Sequence, residues 1–352
     1  MKSSASTGST PDCRPAARVA LQIKGKAQAL GFDLVGITGA QPPNHSREFE
    51  RWLAADFHGE MGYMARNAEK RSDPSQVLPD ARSIVVAGMN HYTGDHDRAG
   101  RIARYAWGAR DYHDVMSEKL KQLSAAINAL GGPGTRSLWY VDTGPILERD
   151  FAQRAGVGFI GKHTNLISRR LGNWIFLGEV LTNLDLPPDQ PEREYCGTCH
   201  RCIDACPTRA IVGPYRLDAR LCISYLTIEL KGAIPVELRP LIGDHVFGCD
   251  DCLEVCPWNR FAKLSAVREF QRRELPPLTE FLSWDEHQFR DFFRGTPIFR
   301  IKRRGFLRNV CVVLGNIGDA SALPALERAC HDVEPLVREH AAWAVDQIRR
   351  RQ

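Results

Sequence analysis

The sequence predicts an α/β (α+β) domain at the N-terminus, a cysteine-rich module in the middle and a helical tail at the C-terminus. Apolar patterns of the helix and strand type alternate through the first half of the chain. Eight of the 11 cysteines lie between Cys196 and Cys256. The tail repeats an apolar helix followed by a Gly or Asp turn at HEAT-like spacing. The boundaries that we expect are 1–14 for a flexible leader, 15–190 for the α/β domain, 191–265 for the cysteine-rich module and 266–352 for the tail.

The composition is that of an ordinary globular protein. Of 352 residues, 43% are hydrophobic and 25% are charged, which excludes disordered and collagen-like classes. The net charge of +5 is too small to indicate a nucleic-acid partner by itself. No run approaches the ~18 apolar residues of a spanning helix, and no apolar segment follows the first lysine. We therefore expect a cytoplasmic protein that does not associate with membranes.

Each expected element of the first domain follows from its apolar spacing. A helix should run to Leu30, where Gly31 ends it, and residues 83–90 should form a buried strand because they are continuously apolar. Over 114–130, apolar side chains share one helical face. The other expected elements are a strand in FDLVGIT, a buried strand over 137–143, a helix opened by Pro145 over 145–155, and a hairpin around Leu171-Gly172-Asn173.

The tail should pack on the rest of the chain. It contains about one and a half repeats, whereas roughly three are needed for independent stability. Cys311 and Cys330 lie on apolar helix faces and are expected to be small buried hydrophobic residues. Cys13, in the leader, is expected to have no role.

The first cysteine run has the spacing of bacterial ferredoxins. Cys196, Cys199, Cys202 and Cys206 form C-x2-C-x2-C-x3-C followed by Pro207. In such runs three thiolates hold one [4Fe–4S] cluster and the fourth holds the neighbouring cluster. The alternative, a zinc knuckle, pairs two C-x2-C units across a longer spacer and has no use for the third cysteine. The spacing therefore favours iron–sulfur clusters.

The second run lacks one ligand. Its thiols are Cys249, Cys252 and Cys256, and Val246 occupies the place of the missing cysteine. Cys222 is the only other cysteine near the runs in sequence. The crossover pattern then predicts two complete sets of four. These are Cys196, Cys199, Cys202 and Cys256 for cluster 1, and Cys206, Cys222, Cys249 and Cys252 for cluster 2.

Two neighbouring clusters transfer single electrons, which a simple electron carrier could also do. A carrier does not need the long domain that precedes them. We therefore expect the clusters to supply a two-electron reaction in the N-terminal domain, which must bind a cofactor or the substrate itself.

Two features of the N-terminal domain have competing interpretations. Residues 156–163 contain G-x-G-x-x-G, but they follow a predicted helix, and His163 replaces the hydroxyl that a phosphate loop needs. We therefore expect a helix end and tight turns there.

Asp142 ends a strand at the point where a parallel sheet would place its ligand crevice, and it could act as a general acid. It could equally cap the next helix. Glu148 and Arg149 could be no more than first-turn residues of that helix.

The segments VDTGPILERDFAQRAGVGFIGKHTNLI, CGTCHRCIDACPTRAI and CDDCLEVCPWN resemble the epoxyqueuosine reductase family. The segments at 104–113 and 58–66 and the helical tail also fit it, so that the resemblance covers nearly the whole chain. The resemblance implies an N-terminal domain that binds base-off cobalamin beside two [4Fe–4S] clusters. It further implies reduction of the epoxide of epoxyqueuosine at the tRNA wobble position to queuosine, with Asp142 as the proton donor.

The resemblance also implies contacts to the corrin ring. By motif position, these are expected from Tyr105, Lys162, Asn165, Ser224 and Asp250. Without the resemblance, Tyr105 would be interpreted as a core aromatic residue and Ser224 as a polar residue on a helix face. His91 and His113 stand singly, and we expect them to be hydrogen-bonded polar groups and not cobalt ligands.

A basic stripe precedes the last helices. Residues 299–308 contain no acid. Such a run is usually a solvated face, but a tRNA substrate requires phosphate contacts and a wobble base splayed into the crevice. The residues expected to bind tRNA are Arg300, Lys302, Arg303, Arg304 and Arg308.

Two other functions fit part of this pattern. A reductive dehalogenase would share cobalamin and two clusters, but such enzymes typically carry an export leader, which is not evident here. A non-catalytic electron carrier or RNA-binding adaptor would bind no corrinoid. We expect a monomeric enzyme that receives electrons from an external donor.

Overall fold

The structure is a computed structural model that describes residues 14–94 and 101–352. The expected leader, apart from its last residue, and Cys13 lie outside the described residues. Within the described ranges, no helix is both long enough and apolar enough to cross a membrane.

The chain contains 13 helices and ten strands in its described part, apart from short 3-10 and π turns. The N-terminal elements are α1 Arg14–Ala29, β1 Leu34–Gly39, α2 Ser46–Ala54, α3 Gly62–Arg66, α4 Ala68–Ser72, β2 Ser83–Asn90, β3 Arg101–Ile102, α5 Tyr112–Gly131, β4 Ser137–Tyr140, α6 Glu148–Arg154, β5 Phe159–Ile160, β6 Leu166–Ile167 and β7 Ile175–Thr182. The later elements are α7 Arg201–Asp204, β8 Ile211–Gly213, β9 Arg216–Leu217, β10 His245–Phe247, α8 Asp251–Glu254, α9 Leu278–Phe281, α10 Glu286–Phe293, α11 Lys302–Ile317, α12 Leu323–Ala329 and α13 Pro335–Arg350.

A four-stranded sheet organises the N-terminal domain, with the strands in the order β1-β2-β7-β4. All three pairings are antiparallel. β2 lies inside the sheet and all eight of its residues are buried, as its apolar sequence predicts. The mixed helix and strand content is confirmed. The expectation of a parallel sheet is wrong, and the domain is α+β.

Helices cover both faces of the sheet. α1 and α5 pack on one face, where Leu120 and Ile127 of α5 are fully buried. α6 packs on the other face through Phe151. The helix expected over 114–130 is confirmed as α5, which starts slightly earlier because the Asp111 side chain caps it by accepting a hydrogen bond from the main-chain N–H of His113.

Two elements beside the site differ from expectation. β4 is an edge strand that pairs only with β7 among the described strands, and Leu138 on it is exposed, so the strand is not buried. α6 begins at Glu148 and not at Pro145. Between β4 and α6 the chain forms an irregular loop, which removes Asp142 from the helix-capping position and leaves it on the loop.

The hairpin expected around Gly172 is only partly present. A single bridge joins Ser168 to Gly172. β6 pairs with β5, whereas the long apolar strand β7 pairs with β2 and β4 at the centre of the sheet. The central position buries more of β7 than a hairpin would, which explains the difference.

Packing crosses the expected domain boundaries. β3 pairs in parallel with β10 of the cysteine-rich module. Trp107 shares an apolar core with Phe247 of the module and Phe306 of the tail. Phe270, from the segment after the module, packs in the core beneath α5. The three parts that we predicted by sequence therefore share their cores.

The helical tail packs on the rest of the chain, as predicted. α11 lies against α13, and Gly315 allows the close approach because a Cβ atom there would come within 2.5 Å of the Trp343 ring. Cys311 is fully buried in this core, as expected, and Cys330 is half-buried at its edge.

Candidate functional site

Electrostatic interactions link the thiols of the cysteine-rich module in two neighbouring groups. In the first group, burial and the neighbouring thiols raise the pKa values of Cys196, Cys202 and Cys256. The Cys256 thiol contributes to the raised pKa of Cys196, and the Cys256 and Cys199 thiols contribute to that of Cys202. The Cys199 thiol contributes to that of Cys256. These interactions link the four cysteines for which cluster 1 remains our prediction.

In the second group, burial is again the largest cause of raised thiol pKa values. The charge of Cys206 also raises the pKa of Cys222, and the charge of Cys222 raises the pKa values of Cys249 and Cys252. Cys252 is also influenced by Cys202 of the first group, so the two groups are neighbours. All ten described cysteines are free thiols, and Val246 is fully buried in the apolar core. Four sulfur atoms in each group is the donor set that a [4Fe–4S] cluster requires.

Asp142 presents an open carboxylate on the loop after β4. Its side chain is 58% exposed, and its backbone has a positive φ of 54°, which is uncommon for a residue with a side chain. The Tyr112 hydroxyl donates a hydrogen bond to Asp142 Oδ2 at 2.8 Å. His113 Nε2 lies 3.3 Å from the same oxygen. The strained loop and two side chains at the start of α5 therefore hold the carboxylate in place.

The charge state of Asp142 follows from these contacts. The neighbouring protein atoms partly desolvate the carboxyl group, which tends to raise its pKa, but the hydrogen bonds from His113 and Tyr112 outweigh this effect and lower the pKa to about 2. Burial lowers the pKa of His113, but its hydrogen bonds with Asp111 and then with Asp142 outweigh burial and raise the pKa. Without a substrate, Asp142 is therefore an ionised hydrogen-bond acceptor at neutral pH.

A second layer of charged groups supports His113. Its Nδ1 lies 2.7 Å from Asp111 Oδ1. Arg300, at the start of the tail, donates to Asp111 Oδ2 at 3.0 Å. The network thus extends from Asp142 through His113 and Asp111 to the tail.

Three of the predicted corrin-contact residues lie close to the second thiol group, and one of them, Tyr105, is also close to Asp142. The Tyr105 ring packs edge-on against Tyr112 at 5.9 Å, and burial followed by the charges of Asp142 and Asp250 raises its pKa well above the usual value. Asp250 accepts a hydrogen bond from the main-chain N–H of Arg104 at 2.7 Å, and burial raises its pKa to about 6. Ser224 Oγ accepts from the N–H of Cys249 at 3.0 Å.

The other two predicted corrin-contact residues belong to a turn beside the first thiol group. The Lys162 ammonium donates to the carbonyl oxygens of Gly197 and, at 2.9 Å, of Cys199. The carbonyl of Asn165 closes the turn by accepting from the N–H of Gly161. Arg149 of α6 donates to the carbonyl of Thr164 at 3.1 Å and so ties the turn to the Asp142 loop.

The glycine-rich stretch has the backbone role that we expected. Gly156 follows α6 with a left-handed φ of 69°, and the stretch leads into the β5–β6 pair. A phosphate loop joins a strand to a helix, and this stretch joins a helix to a strand. The interpretation as turns is confirmed, and the nucleotide motif is accidental.

The basic stripe is divided between exposed and buried residues. Arg300, Lys302 and Arg304 are exposed. Arg303 is 8% exposed and pairs with Asp332 at 3.0 Å. Arg308 is 1% exposed and donates to main-chain carbonyl oxygens of the module. The expectation that Arg303 and Arg308 bind tRNA phosphates is therefore wrong, because both guanidinium groups are committed to holding the tail in place.

Sequence reasoning missed part of the Asp142 environment. Tyr112 and His113 stand together directly after Asp111, and an aromatic and a titratable residue at a helix start are a weak signal for a site. We interpreted His113 only as a hydrogen-bonded polar residue. Glu179, deep in β7, carried a signal that we did not use, since an acidic residue in an apolar strand is unusual.

Two family models match the chain. One is described as a 4Fe-4S double cluster binding domain and matches residues 195–259, which contain all eight thiols. The other is described as Epoxyqueuosine reductase QueG, DUF1730, and matches residues 71–143, which end at the Asp142 loop.

Relatives and solved structures agree with these models. The epoxyqueuosine reductase of Pseudomonas aeruginosa is 45% identical to the chain, and the match covers 94% of each protein. That of Escherichia coli is 42% identical, and the match covers 95% of this chain and 91% of the relative. A crystal structure of epoxyqueuosine reductase with an epoxyqueuosine-modified tRNA-Tyr stem loop has 33% identity and a TM-score of 0.85, with coverage of 94% of this chain and 90% of that one. A Bacillus subtilis epoxyqueuosine reductase whose catalytic loop is swung out of the active site has 32% identity and a TM-score of 0.86, with the same coverage. The chain therefore belongs to the epoxyqueuosine reductase family.

Proposed function

We propose that this protein reduces the epoxide of epoxyqueuosine in tRNA to queuosine, with Asp142 as the proton donor. The observation that carries this proposal is an exposed carboxylate, held by Tyr112 and His113, beside a module with two sets of four thiols. The reaction adds two electrons and two protons to the epoxide, breaks both C–O bonds, forms a C=C bond and releases water.

The thiol groups are suited to hold the two clusters. We propose the crossover assignment, with Cys256 completing cluster 1 and Cys206 and Cys222 completing cluster 2, because the electrostatic neighbours among the thiols follow it. When bound, the clusters supply electrons one at a time to the N-terminal domain. The buried thiols lose their protons on binding iron, since thiolates are the ligands.

We propose that base-off cobalamin binds between Asp142 and cluster 2. The charges of both Asp142 and Asp250 influence Tyr105, which supports a binding space close to these residues. His113, the histidine beside Asp142, has its nitrogens directed to Asp111 and Asp142, so its role would be to hold Asp142 in place beside the corrinoid. Tyr105, Ser224 and Asp250 would contact the corrin directly, and Lys162 and Asn165 through the turn that they hold. When bound, the cobalt supplies a strong two-electron reductant.

Asp142 must gain a proton before it can donate one, since its pKa of about 2 keeps it ionised in the open site. A wobble base placed over the loop would remove water from the exposed carboxylate. Loss of water disfavours the charged form, so substrate binding would raise the pKa of Asp142 towards the range of a general acid. The proton then goes to the epoxide oxygen as the C–O bond breaks, because an unprotonated alkoxide is costly in a dry site.

We also propose the assembly and location of the enzyme. A tRNA substrate supports a cytoplasmic location. α11 to α13 would form a short HEAT-like unit, as the close packing of Gly315 on Trp343 suggests. The enzyme would act as a monomer and receive electrons from an external donor.

Lys302 and Arg304 are proposed to contact tRNA phosphates, together with Arg300. Replacing both Lys302 and Arg304 by Gln should raise the KM for tRNA and reduce its log-log salt dependence by about one to two units. The value of kcat should change little, because phosphate contacts position the substrate without entering the chemistry. Steady-state kinetics at several salt concentrations measures both effects.

A charge-matched control is the replacement of Arg18 and Arg47, two exposed arginines at the other end of the chain, by Gln. This control should keep the wild-type salt dependence. If the Lys302 and Arg304 double variant also keeps it, the exposed part of the stripe does not contact tRNA.

Nucleoside analysis tests the proposed reaction. Protein with both clusters and cobalamin is incubated anaerobically with a reductant and with tRNA that contains epoxyqueuosine, and the tRNA is then digested. We expect epoxyqueuosine to be replaced by queuosine. Persistence of epoxyqueuosine, together with halide release from a halogenated phenol, would favour a dehalogenase instead.

A further inference from the structure

Two glutamates with buried carboxyl oxygens lie behind the Asp142 loop and take no part in the chemistry described above. Glu179 is on β7, the strand that β2 and β4 flank, opposite Val86 on one side and Tyr140 on the other. Its side chain is fully buried, with 0% exposure. Glu148 is the first residue of α6, which packs on this face of the sheet.

The two carboxyl groups meet in a dry environment. Neither oxygen of Glu179 has a conventional hydrogen-bond donor among the described residues, and Glu148 Oε1 has none either. The neighbouring polar group of Glu179 is the Glu148 carboxyl itself. Two carboxyl groups can form a hydrogen bond only if at least one of them carries a proton. An unpaired buried carboxylate costs several kcal/mol and takes up a proton instead.

The charged groups around the two glutamates also favour the protonated, neutral form of both carboxyl groups. Burial, followed by the charges of Glu148 and Asp142, raises the pKa of Glu179 well above its usual value. Burial, followed by the charge of Asp142, raises the pKa of Glu148 to about 8, although Arg149 and Arg71 oppose this shift. At neutral pH both carboxyl groups are therefore mainly neutral and hold two protons.

Glu148 is also connected to Asp142. The main-chain N–H of Asp142 is directed at the Glu148 carboxyl. The Tyr112 ring, whose hydroxyl donates to Asp142, is near enough to Glu148 for the two to interact electrostatically. The Arg71 guanidinium donates, at 3.1 Å each, to the carbonyl oxygens of Gly144 and Ile146, which belong to the same loop as Asp142. The carboxyl of Glu148 is thus linked to the main chain of the residue whose own carboxylate is ionised.

We propose that Glu148 and Glu179 form a buried proton store, and that Glu148 returns a proton to Asp142 in each turnover. Asp142 gives its proton to the epoxide oxygen and becomes a carboxylate. While the bound substrate keeps water from that carboxylate and so keeps its pKa raised, Glu148 gives it a proton. Solvent then reprotonates Glu148, which is only half-buried. Glu179 keeps Glu148 neutral by sharing a hydrogen bond with it in the dry interior. Glu148 is a positioning residue in this scheme because it acts through Asp142. The inference rests on the proposed function.

The first test is an infrared titration of the protein without substrate, which reads carboxylic-acid C=O absorption and does not depend on activity. We expect a band at pH 7 with one component that disappears as the pH rises through about 8 and another that persists at higher pH. Glu148→Gln should remove the first component, and Glu179→Gln the second. Asp150→Asn is the control: Asp150 is a buried acid on the same helix, but it pairs with His45 and should contribute to neither component.

The second test is the pH dependence of kcat at saturating tRNA. The neutral form of Glu148 is present below its pKa and lost above it, so wild-type kcat should fall as the pH rises beyond about 8. Glu148→Gln keeps the shape of the side chain but has no proton to give, so we expect kcat to fall about 10- to 100-fold, less than a direct acid would cost, and the decline near pH 8 to disappear. Iron content, cobalamin binding and KM should stay at wild-type values.

The outcomes separate this inference from the proposed function. If the wild type is active and Glu148→Gln has wild-type kcat with the same decline near pH 8, the store is not part of the reaction. If the acid band is missing from the wild type at pH 7, the pair does not hold its protons. If the wild type does not convert epoxyqueuosine at all, the proposed function fails, whatever the infrared result.

Discussion

Replacing Asp142 by Asn is expected to lower kcat for queuosine formation by about 10²–10⁴-fold, the usual contribution of a general acid. The amide keeps the size of the side chain and can still accept the hydrogen bond from Tyr112, but it has no proton to donate. The loop and the corrin-contact residues should be undisturbed, so cobalamin affinity and iron content should stay at wild-type values. Single-turnover rates at saturating tRNA, measured with a cobalamin titration, check both expectations.

The matched control is Asp114→Asn, since Asp114 is an exposed acid in the first turn of α5, close in sequence to Tyr112 and His113. This variant should have wild-type kcat. If Asp142→Asn loses only two- to threefold, Asp142 shapes the loop without donating the proton.

Cys222→Ala is expected to remove cluster 2 and with it the activity. Two [4Fe–4S] clusters contain about eight iron atoms per chain, and loss of one cluster leaves about four. Cluster 1 should remain intact, because Cys196, Cys199, Cys202 and Cys256 do not depend on Cys222 in the crossover assignment. Val246 cannot replace the lost ligand, since it is an apolar residue in the core. Iron analysis with electron paramagnetic resonance measures the result.

Cys330→Ala provides the comparison, because Cys330 is a half-buried tail cysteine outside both thiol groups. It should retain about eight iron atoms per chain. Wild-type iron content in Cys222→Ala would mean that another residue completes the second set, and about four in the unmutated chain would reject two clusters altogether.

Local sequence patterns predicted the elements whose structure depends on local spacing. The apolar run of β2 and the helical face of α5 are set by side chains within one segment, and both were found. The two cysteine runs are local in the same way. The direction of the strands was not predictable in this manner. The sequence of β7 is compatible with a hairpin with β6 and with a place at the centre of the sheet, where it is found. Only burial against both α5 and α6 decides between these two positions.

The site residues that belong to one sequence motif were predicted, and those that come from distant segments of the chain were missed. Asp142 lies in a motif of the family, but its partners Tyr112 and His113 come from the start of α5. Arg300 of the tail in turn contacts His113 and Asp111. Arg303 and Arg308 have the same side chain as Arg300 in one basic run. The acid or carbonyl that each arginine finds is far away in sequence, so composition could not show which of them were buried.

A single-turnover experiment tests the central claim that clusters, corrin and Asp142 act together in this one chain. Protein with both clusters reduced is freed from external reductant, mixed anaerobically with tRNA that contains epoxyqueuosine, and assayed for queuosine with and without bound cobalamin. Two clusters hold two electrons, which is the requirement of one epoxide, so we expect up to about one queuosine per chain with cobalamin and none without it. Queuosine formed equally well without cobalamin, or no queuosine with a fully loaded chain, would contradict the account.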